Sequence, residues 1–245
     1  MNESVIYLPE VDSTNLWAKH NLDKFGPIGA VYTTHQTAGR GRLGRSWLDA
    51  PHKGLYYTAV IRTDLVQPAT LPLFASLAVC DALRQRYRID CQIKWPNDLL
   101  LNGKKIVGIL CEVGPDGHSI VVGIGINLNQ TQADFSGAVA DMATSLRMVL
   151  GRTVSRAELA VALMEELDRL YAALLTQDYA PWLAEYRRSC VTLGHPVRIL
   201  GSGPERVAYA EEIDDAFGLV VRYDDGRRET IRSGEVSVRG LYGYV

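Results

Sequence analysis

Hydrophobic residues in the first two thirds of the chain fall into patterns that predict both strands and helices. Residues 55–61, 106–113 and 120–126 are nearly continuous apolar runs, which is typical of strands buried on both faces. Residues 16–25 and 70–88 carry apolar side chains at helical spacing instead. The pattern therefore predicts a folded unit that contains buried strands together with amphipathic helices.

Turn and capping residues mark where several elements begin and end. Asn102-Gly103 predicts a type I′ hairpin turn, and the Pro-Asp-Gly at residues 115–117 predicts a second turn. Ser155 and Glu158 form the capping-box pattern that opens a long helix. The further predicted elements are strands at 5–8 and 30–35 and helices at 155–175 and 179–189.

After Gly194 the pattern changes to short strands at even spacing. Turns that contain glycine and aspartate separate them, which is typical of a small β-barrel or sandwich. We therefore predict two domains, 1–190 and 191–245. The predicted strands of the second domain are 197–200, 207–213, 219–223, 229–232 and 236–239.

Composition narrows the class of protein. The 245 residues carry a formal net charge of −2, so no overall positive field would attract a nucleic acid or an anionic membrane surface. Four cysteines stand far apart without a histidine at ligand spacing, which argues against a zinc site and against a disulfide framework. No targeting segment or membrane-length apolar run is visible, and we expect a cytoplasmic protein.

One loop combines little side-chain bulk with much positive charge. Residues 39–47 read G-R-G-R-L-G-R-S-W. Glycines let backbone N–H groups approach a ligand closely, arginines suit phosphate or carboxylate oxygens, and Trp47 offers a flat surface for stacking. A nucleotide would use all three features, although the composition alone is equally compatible with a solvated basic loop.

Three further segments carry polar groups at the ends of apolar strands. They are K-W-P-N-D at 94–98, G-K-K-I-V-G-I-L at 103–110 and G-I-G-I-N at 123–127. Because side chains alternate along a strand, only one of Lys104 and Lys105 can point into a site.

Together these motifs resemble those of the biotin–protein ligases, which attach biotin to a carrier lysine through an adenylate. The resemblance extends to S-T-N at 13–15, Q-T-A at 36–38, C-E at 111–112 and G-E-V-S-V-R at 234–239, and so covers almost the whole chain. It implies an α+β fold, with a mixed-sheet catalytic domain of the biotin/lipoate ligase type and a small C-terminal SH3-like β-barrel. It also implies the ligase-only class, because S-T-N at residue 13 leaves no room for an N-terminal DNA-binding domain.

The resemblance implies which residues would contact biotin. Short polar side chains suit the donors and acceptors of its ureido ring. Capping of the following helix is the other role open to Ser13, Thr14 and Asn15. The biotin-binding residues implied are Ser13, Thr14, Asn15, Gln36, Gly39, Arg40, Gly41, Arg42, Lys105 and Gly108.

The resemblance also implies a nucleotide site. A magnesium ion is expected to arrive with the nucleotide, and no metal ligand is assigned. Lys94 and Asp98 could instead form a structural ion pair that fixes their turn. The residues implied for ATP or the adenylate are Arg40, Arg42, Arg45, Trp47, Lys94, Asn97 and Asn127.

Lys105 and Arg42 are the residues expected to act in catalysis. Two anions, the biotin carboxylate and the α-phosphate of ATP, repel each other until a fixed cation lies between them. A labile mixed anhydride needs protection from water, so we expect residues 38–48 to be mobile without ligand and to close over the adenylate. The expected protein partner is a biotin carboxyl carrier protein or domain, and the sequence leaves open whether the ligase is a monomer or a homodimer.

Three other functions compete with this one. A lipoate–protein ligase or octanoyl transferase would share the fold, but those relatives use a different glycine-rich block. A nucleic-acid-binding module would need a wider basic, aromatic-rich surface than the sequence offers. An inactive adaptor is disfavoured because every cation of the motifs is present.

Overall fold

The computed structural model describes residues 5–62, 70–201, 203–232 and 236–240. Seven strands in the first 126 residues form one sheet. They are β1 (Val5–Leu8), β2 (Ile28–Thr33), β3 (Leu55–Arg62), β4 (Gln92–Lys94), β5 (Asp98–Leu101), β6 (Lys104–Val113) and β7 (Ser119–Ile126). The helices of the described chain are α1 (Thr14–His20), α2 (Leu71–Tyr87), α3 (Leu146–Leu150), α4 (Arg156–Thr176) and α5 (Ala180–Ser189).

The seven-stranded sheet is mixed, in the order β1-β2-β3-β7-β6-β5-β4. β1 runs parallel to β2, and the other neighbours are antiparallel. Helices α2 and α4 pack on one face, where Ala59 and Val122 join the main core. Val60 and Val121 point to the other face, which α1 covers with Ala18. This burial on both faces confirms what the continuous apolar runs predict.

Local signals in the sequence set several of the boundaries. Asn102 and Gly103 have φ of 52° and 74°, the pair of positive values that a type I′ turn requires. The Ser155 hydroxyl accepts a hydrogen bond from the Glu158 amide and caps α4. Helix α1 differs from its prediction, since it begins at Thr14 and ends at His20.

A second sheet, antiparallel throughout, follows the helices. Its order is β11-β10-β9-β8-β12. The strands are β8 (Pro196–Leu200), β9 (Arg206–Ile213), β10 (Leu219–Arg222), β11 (Arg228–Ile231) and β12 (Ser237–Gly240). They match the five predicted strands, although residues 234 and 235 of the G-E-V-S-V-R motif lie outside the described residues.

The second sheet packs against helix α2 and the β4–β5 turn through Phe217, which lies between β9 and β10. The ring of Phe217 lies 4.7 Å from that of Phe74 on α2, measured between centroids. Trp95, fully buried in the turn between β4 and β5, donates from Nε1 to the Phe217 carbonyl at 3.5 Å. This contact fixes the second sheet against the turn that carries Lys94, Asn97 and Asp98.

Two general features bear on the class of protein. Among the residues described, none of the helices has the length and apolar character needed to cross a lipid bilayer. All four cysteines carry free thiols. Burial raises the pKa of the Cys91 thiol to about 12 and the pKa of Cys111 still further, so neither has the character of a nucleophile.

Candidate active site

Three neighbouring cavities meet on the sheet beside the loop at residues 39–47. We call them the inner cavity, of about 60 Å³, the outer cavity, of about 240 Å³, and the cationic cleft, of about 400 Å³. Lys105 and Trp47 line all three. These two side chains therefore stand where the three spaces join.

The inner cavity lies between the first turn of α1 and the sheet. Gly39, also predicted to contact biotin, is not among the residues that line this cavity, and a Cβ on it would lie 3.0 Å from Gln36 Nε2. The predicted biotin-binding residues that line the cavity are Ser13, Thr14, Asn15, Gln36, Arg40, Gly41, Arg42, Lys105 and Gly108.

A buried network of hydrogen bonds holds the polar wall of the inner cavity. Gln36 Oε1 accepts from the Thr14 amide at 2.8 Å and from Thr14 Oγ1 at 3.0 Å. Thr58 Oγ1, on β3, lies 2.8 Å from both Thr14 Oγ1 and Asn15 Oδ1, and its single proton can be donated to only one of them at a time. Ser13 is the N-cap residue of α1, yet its side chain makes no capping hydrogen bond. Of the two roles open to these residues, the structure thus favours the cavity wall.

Two glycines of the sheet make room for Trp47. A Cβ on Gly108 would overlap the indole, and one on Gly125 would lie 2.7 Å from Cε2. The indole therefore lies directly on the strand backbone, and it narrows the inner cavity. Its Nε1 is buried without a hydrogen-bond partner among the described residues.

Lys105 is held rigidly at the start of β6. Its amide donates to the Met142 carbonyl at 2.7 Å, and its carbonyl accepts from the Thr144 amide at 3.0 Å. The ammonium lies 2.6 Å from Asp98 Oδ1 and 5.2 Å from the centroid of the Trp47 ring. The Lys105 side chain is 26% exposed, so it remains accessible from the cavities.

The loop at residues 39–47 is closed by contacts of its own. The Gly41 amide donates to the Arg45 carbonyl at 2.7 Å, and the Trp47 amide donates to the Gly39 carbonyl at 3.0 Å. Arg42 reaches out of the loop and donates to Asn97 Oδ1 at 2.8 Å. Arg42 also donates to the Val236 carbonyl at 3.1 Å, which ties the loop to the second sheet. Burial lowers the pKa of the Arg42 guanidinium.

The outer cavity combines polar groups with an apolar wall. Arg45, Trp47 and Asn127, all predicted for the nucleotide, line it together with Lys105. The apolar wall comes from the segment after β7, whose lining residues are Phe135, Val139, Met142 and Ala143. No motif distinguishes that segment in the sequence, and its position becomes visible only in the fold.

The cationic cleft lies between the loop, the β4–β5 turn and the second sheet. Lys94 and Asn97, both predicted for the nucleotide, line it, and so do Arg198 and Arg239. Burial is the main cause that lowers the pKa of Lys94 to about 8; Asp98 opposes the shift, and the positive charges of Lys105, Arg239 and Arg45 contribute to it. An anion bound in this cleft would raise the pKa of Lys94 again, because an opposite charge nearby favours the ammonium form.

Some residues of the site are not among those predicted. Thr58 interrupts an apolar strand with a hydroxyl, and Arg239 lies within the G-E-V-S-V-R motif, so both left a signal in the sequence. Tyr56 and Tyr57 line the inner cavity but fit equally well as core residues. The ion pair of Asp98 with Lys105 could not be predicted, because it depends on which residues of β5 and β6 face each other across their hairpin.

The sequence model of the Biotin/lipoate A/B protein ligase family matches residues 6–129. The chain belongs to this family. The matched segment contains the first turn of α1, the loop at 39–47, the β4–β5 turn and the glycine strands β6 and β7. The family model therefore covers all of the residues that line the inner cavity.

Curated relatives and solved structures agree with this membership. The chain is 36% identical over 247 residues to a biotin–[acetyl-CoA-carboxylase] ligase of Paracoccus denitrificans, which covers 95% of this chain and 100% of that protein. It is 32% identical over 232 residues to the bifunctional ligase/repressor BirA of Bacillus subtilis, covering 92% of this chain and 71% of that protein. The biotin protein ligase of Aquifex aeolicus in complex with biotin and ATP superposes with a TM-score of 0.87 at 30% identity, covering 97% and 99% of the two chains. The resemblance to biotin–protein ligases and the α+β fold class are thus confirmed.

Proposed function

We propose that this protein is an ATP-dependent biotin ligase. It joins biotin to one lysine of the biotin carboxyl carrier domain of a carboxylase, through a biotinyl-5′-adenylate. The observation that carries the proposal is the position of Lys105 at the junction of the three cavities, where two anionic substrates would meet. The Paracoccus and Aquifex relatives, with their named activity and ligands, support the same conclusion.

Biotin would occupy the inner cavity. Thr14, Asn15 and Gln36 offer donors and acceptors to its ureido group, and the valeryl chain would lead its carboxylate toward Lys105. The cavity of about 60 Å³, with Trp47 among its lining residues, would have to widen to hold biotin. ATP would place its adenosine in the outer cavity and its outer phosphates in the cationic cleft.

The first step would be attack of a biotin carboxylate oxygen on the α-phosphorus of ATP. A P–O bond forms to the carboxylate, the bond to the β-phosphate breaks, and pyrophosphate leaves with the electron pair. Lys105 would offset the repulsion between the two anions and follow the negative charge onto the phosphorane. Arg42, which lines the inner cavity and the cationic cleft, would hold phosphate oxygens.

The second step would be attack of the carrier lysine amine on the activated acyl carbon. An amide bond forms, AMP leaves, and the amine proton passes to solvent. Both steps use positioning and fixed charge, and neither needs a covalent bond to the enzyme. Magnesium would enter with ATP and shield its phosphates.

A transfer assay with matched acids tests the proposal. The protein is incubated with ATP, Mg²⁺, a carboxylase carrier fragment and either biotin, lipoate or octanoate, and the carrier is then weighed by mass spectrometry. We expect one biotinyl group on the carrier, lost when its target lysine is replaced by arginine, and no lipoyl or octanoyl group. Transfer of lipoate or octanoate in preference to biotin would assign the protein to the other activities of its fold.

A further inference from the structure

Glu112 lies beside the inner cavity and contacts both α1 and the loop at 39–47. Its carboxylate, near the end of β6, is 18% exposed. Oε2 accepts from Asn15 Nδ2 at 2.9 Å, and Oε1 accepts from Lys19 Nζ at 2.8 Å. Arg40 Nη1 approaches Oε1 at 3.7 Å. The Glu112 carboxylate thus contacts Asn15 of the cavity wall, Lys19 of α1 and Arg40 of the loop.

The contact with Glu112 fixes which way the Asn15 amide points. Asn15 Nδ2 donates to Glu112 and to the Leu110 carbonyl, at 2.9 and 3.3 Å. Both partners are acceptors only, so a flipped amide would set oxygen against oxygen. Asn15 Oδ1 therefore faces the Thr58 hydroxyl, at 2.8 Å, and keeps a lone pair for a ligand N–H at the cavity wall.

Glu112 is charged under ordinary conditions. Burial opposes its ionisation, but hydrogen bonds from Lys19 and Asn15 and the charges of Lys19 and Arg40 lower its pKa overall. A fixed negative charge holds Arg40 from the loop side more strongly than a neutral acceptor would. Asn15 and Arg40 belong to two parts of the inner cavity that are distant in sequence, and both contact the Glu112 carboxylate.

We propose that Glu112 is a positioning residue for biotin. It holds the Asn15 amide with its oxygen toward the bound ring, and it holds Arg40 so that the loop closes on the same ligand. Glu112 itself stays outside the cavity and touches neither substrate. The inference rests on the proposed function, since it assigns biotin to the inner cavity.

The variant Glu112→Gln tests the inference, because it keeps the side chain's shape but removes its charge and adds a donor toward Asn15. In biotin-dependent ATP–pyrophosphate exchange we expect the KM for biotin to rise on the order of tenfold, the size of a lost hydrogen bond to a charged group. The KM for ATP and kcat should stay within about twofold, as they do when a ground-state contact is lost. Lys19→Gln is the matched control, since it removes another partner of the same carboxylate but spares Asn15 and Arg40, and it should leave the KM for biotin unchanged.

A second pair of variants exchanges the donor and the acceptor. Asn15→Asp sets two carboxylates against each other and should raise the KM for biotin strongly. Adding Glu112→Gln restores a donor opposite the new carboxylate, so the double variant should bind biotin better than Asn15→Asp alone. A purely structural role would restore the melting temperature without restoring the KM for biotin. Circular dichroism and thermal melting confirm folding for each variant.

The results separate this inference from the function on which it rests. An active unaltered protein with an unchanged KM for biotin in Glu112→Gln overturns the positioning role, and so does a double variant no better than Asn15→Asp. If Glu112→Gln alone does not fold, the double variant, in which one donor again faces one acceptor, is compared with Asn15→Asp instead. Absence of biotin-dependent exchange in the unaltered protein would overturn the proposed function, and the inference with it.

Discussion

Gly108 shows how a missing side chain can define a site. The Trp47 indole lies on the backbone at Gly108, and a Cβ there would overlap the ring. We expect Gly108→Ala to displace the indole and slow ATP–pyrophosphate exchange on the order of tenfold, since overpacking costs about 1–3 kcal/mol. Gly26→Ala is the control, because a Cβ there meets nothing nearer than the Ile28 carbonyl oxygen at 4.0 Å. Equal rates in the two variants would show that the contact is unimportant.

Lys94 gives the site a pH dependence. Its pKa of about 8 lies below the ordinary 10.5, chiefly because it is buried. The ammonium form attracts phosphate, so the KM for ATP should rise as the pH increases through about 8, and Lys94→Met should flatten that change. The same shift affects the stability of the fold. Between pH 8 and 10.5 the unfolded chain binds more protons than the folded chain, so the free-energy cost of burying Lys94 is largest below pH 8 and disappears as the pH rises to 10.5. A KM for ATP that is constant from pH 7 to 9 would contradict this role.

At the scale of single residues, the sequence predicts most of the residues of the site but not the contacts between them. Lys105 and Arg42 stand out through their motifs, and strand alternation explains why only one of two adjacent lysines serves. Proximity in the sequence suggests Lys94 as a partner of Asp98, and the structure also places the Lys105 ammonium 2.6 Å from Asp98 Oδ1. A register shift between Leu99 and Leu100 places Lys105 opposite Leu100, and such a bulge leaves no readable trace in the sequence.

At the scale of elements, the loop at residues 39–47 connects the cavities. Its composition predicts mobility without ligand, while its contacts with Asn97 and Val236 show how it closes. Closure over the adenylate should protect its arginines from trypsin. We therefore expect cleavage within the loop to slow on the order of tenfold when biotin and ATP are both present. Cleavage at Arg152, in an exposed turn, is the internal control and should be unchanged; equal protection at both sites would argue against closure of the loop.

Elements with strong local signals are predicted well, whereas those set by tertiary contacts are not. The Asn102-Gly103 turn and the Ser155 cap have local causes and stand where they were predicted. Helix α1 begins at Thr14, earlier than predicted, because Thr14 and Asn15 bond to Gln36, Leu110 and Glu112 rather than to their own helix end. The residues that form the apolar wall of the outer cavity follow no periodic pattern in the sequence, so the wall can be recognised only in the folded structure.

At the scale of the whole molecule, the second sheet completes the cationic cleft. Arg239 on β12 lines the cleft opposite Lys94, and Val236 accepts a hydrogen bond from Arg42. We expect Arg239→Gln to raise the KM for ATP about fivefold to tenfold while the KM for biotin stays constant, since the inner cavity lies on the other side of the loop. Arg228→Gln, whose side chain is 65% exposed and paired with Glu211, is the matched control. If the two variants had the same KM for ATP, the phosphates would have to bind elsewhere.

Lys105 carries the central claim, that one rigid ammonium brings two anions together at the junction of the cavities. The direct measurement is biotin-dependent ATP–pyrophosphate exchange in Lys105→Ala beside its neighbour Lys104→Ala. The account predicts that exchange falls about 100-fold or more in Lys105→Ala, as for other lost transition-state donors, and changes less than about twofold in Lys104→Ala. An exchange rate in Lys105→Ala within about threefold of the unaltered protein would contradict it.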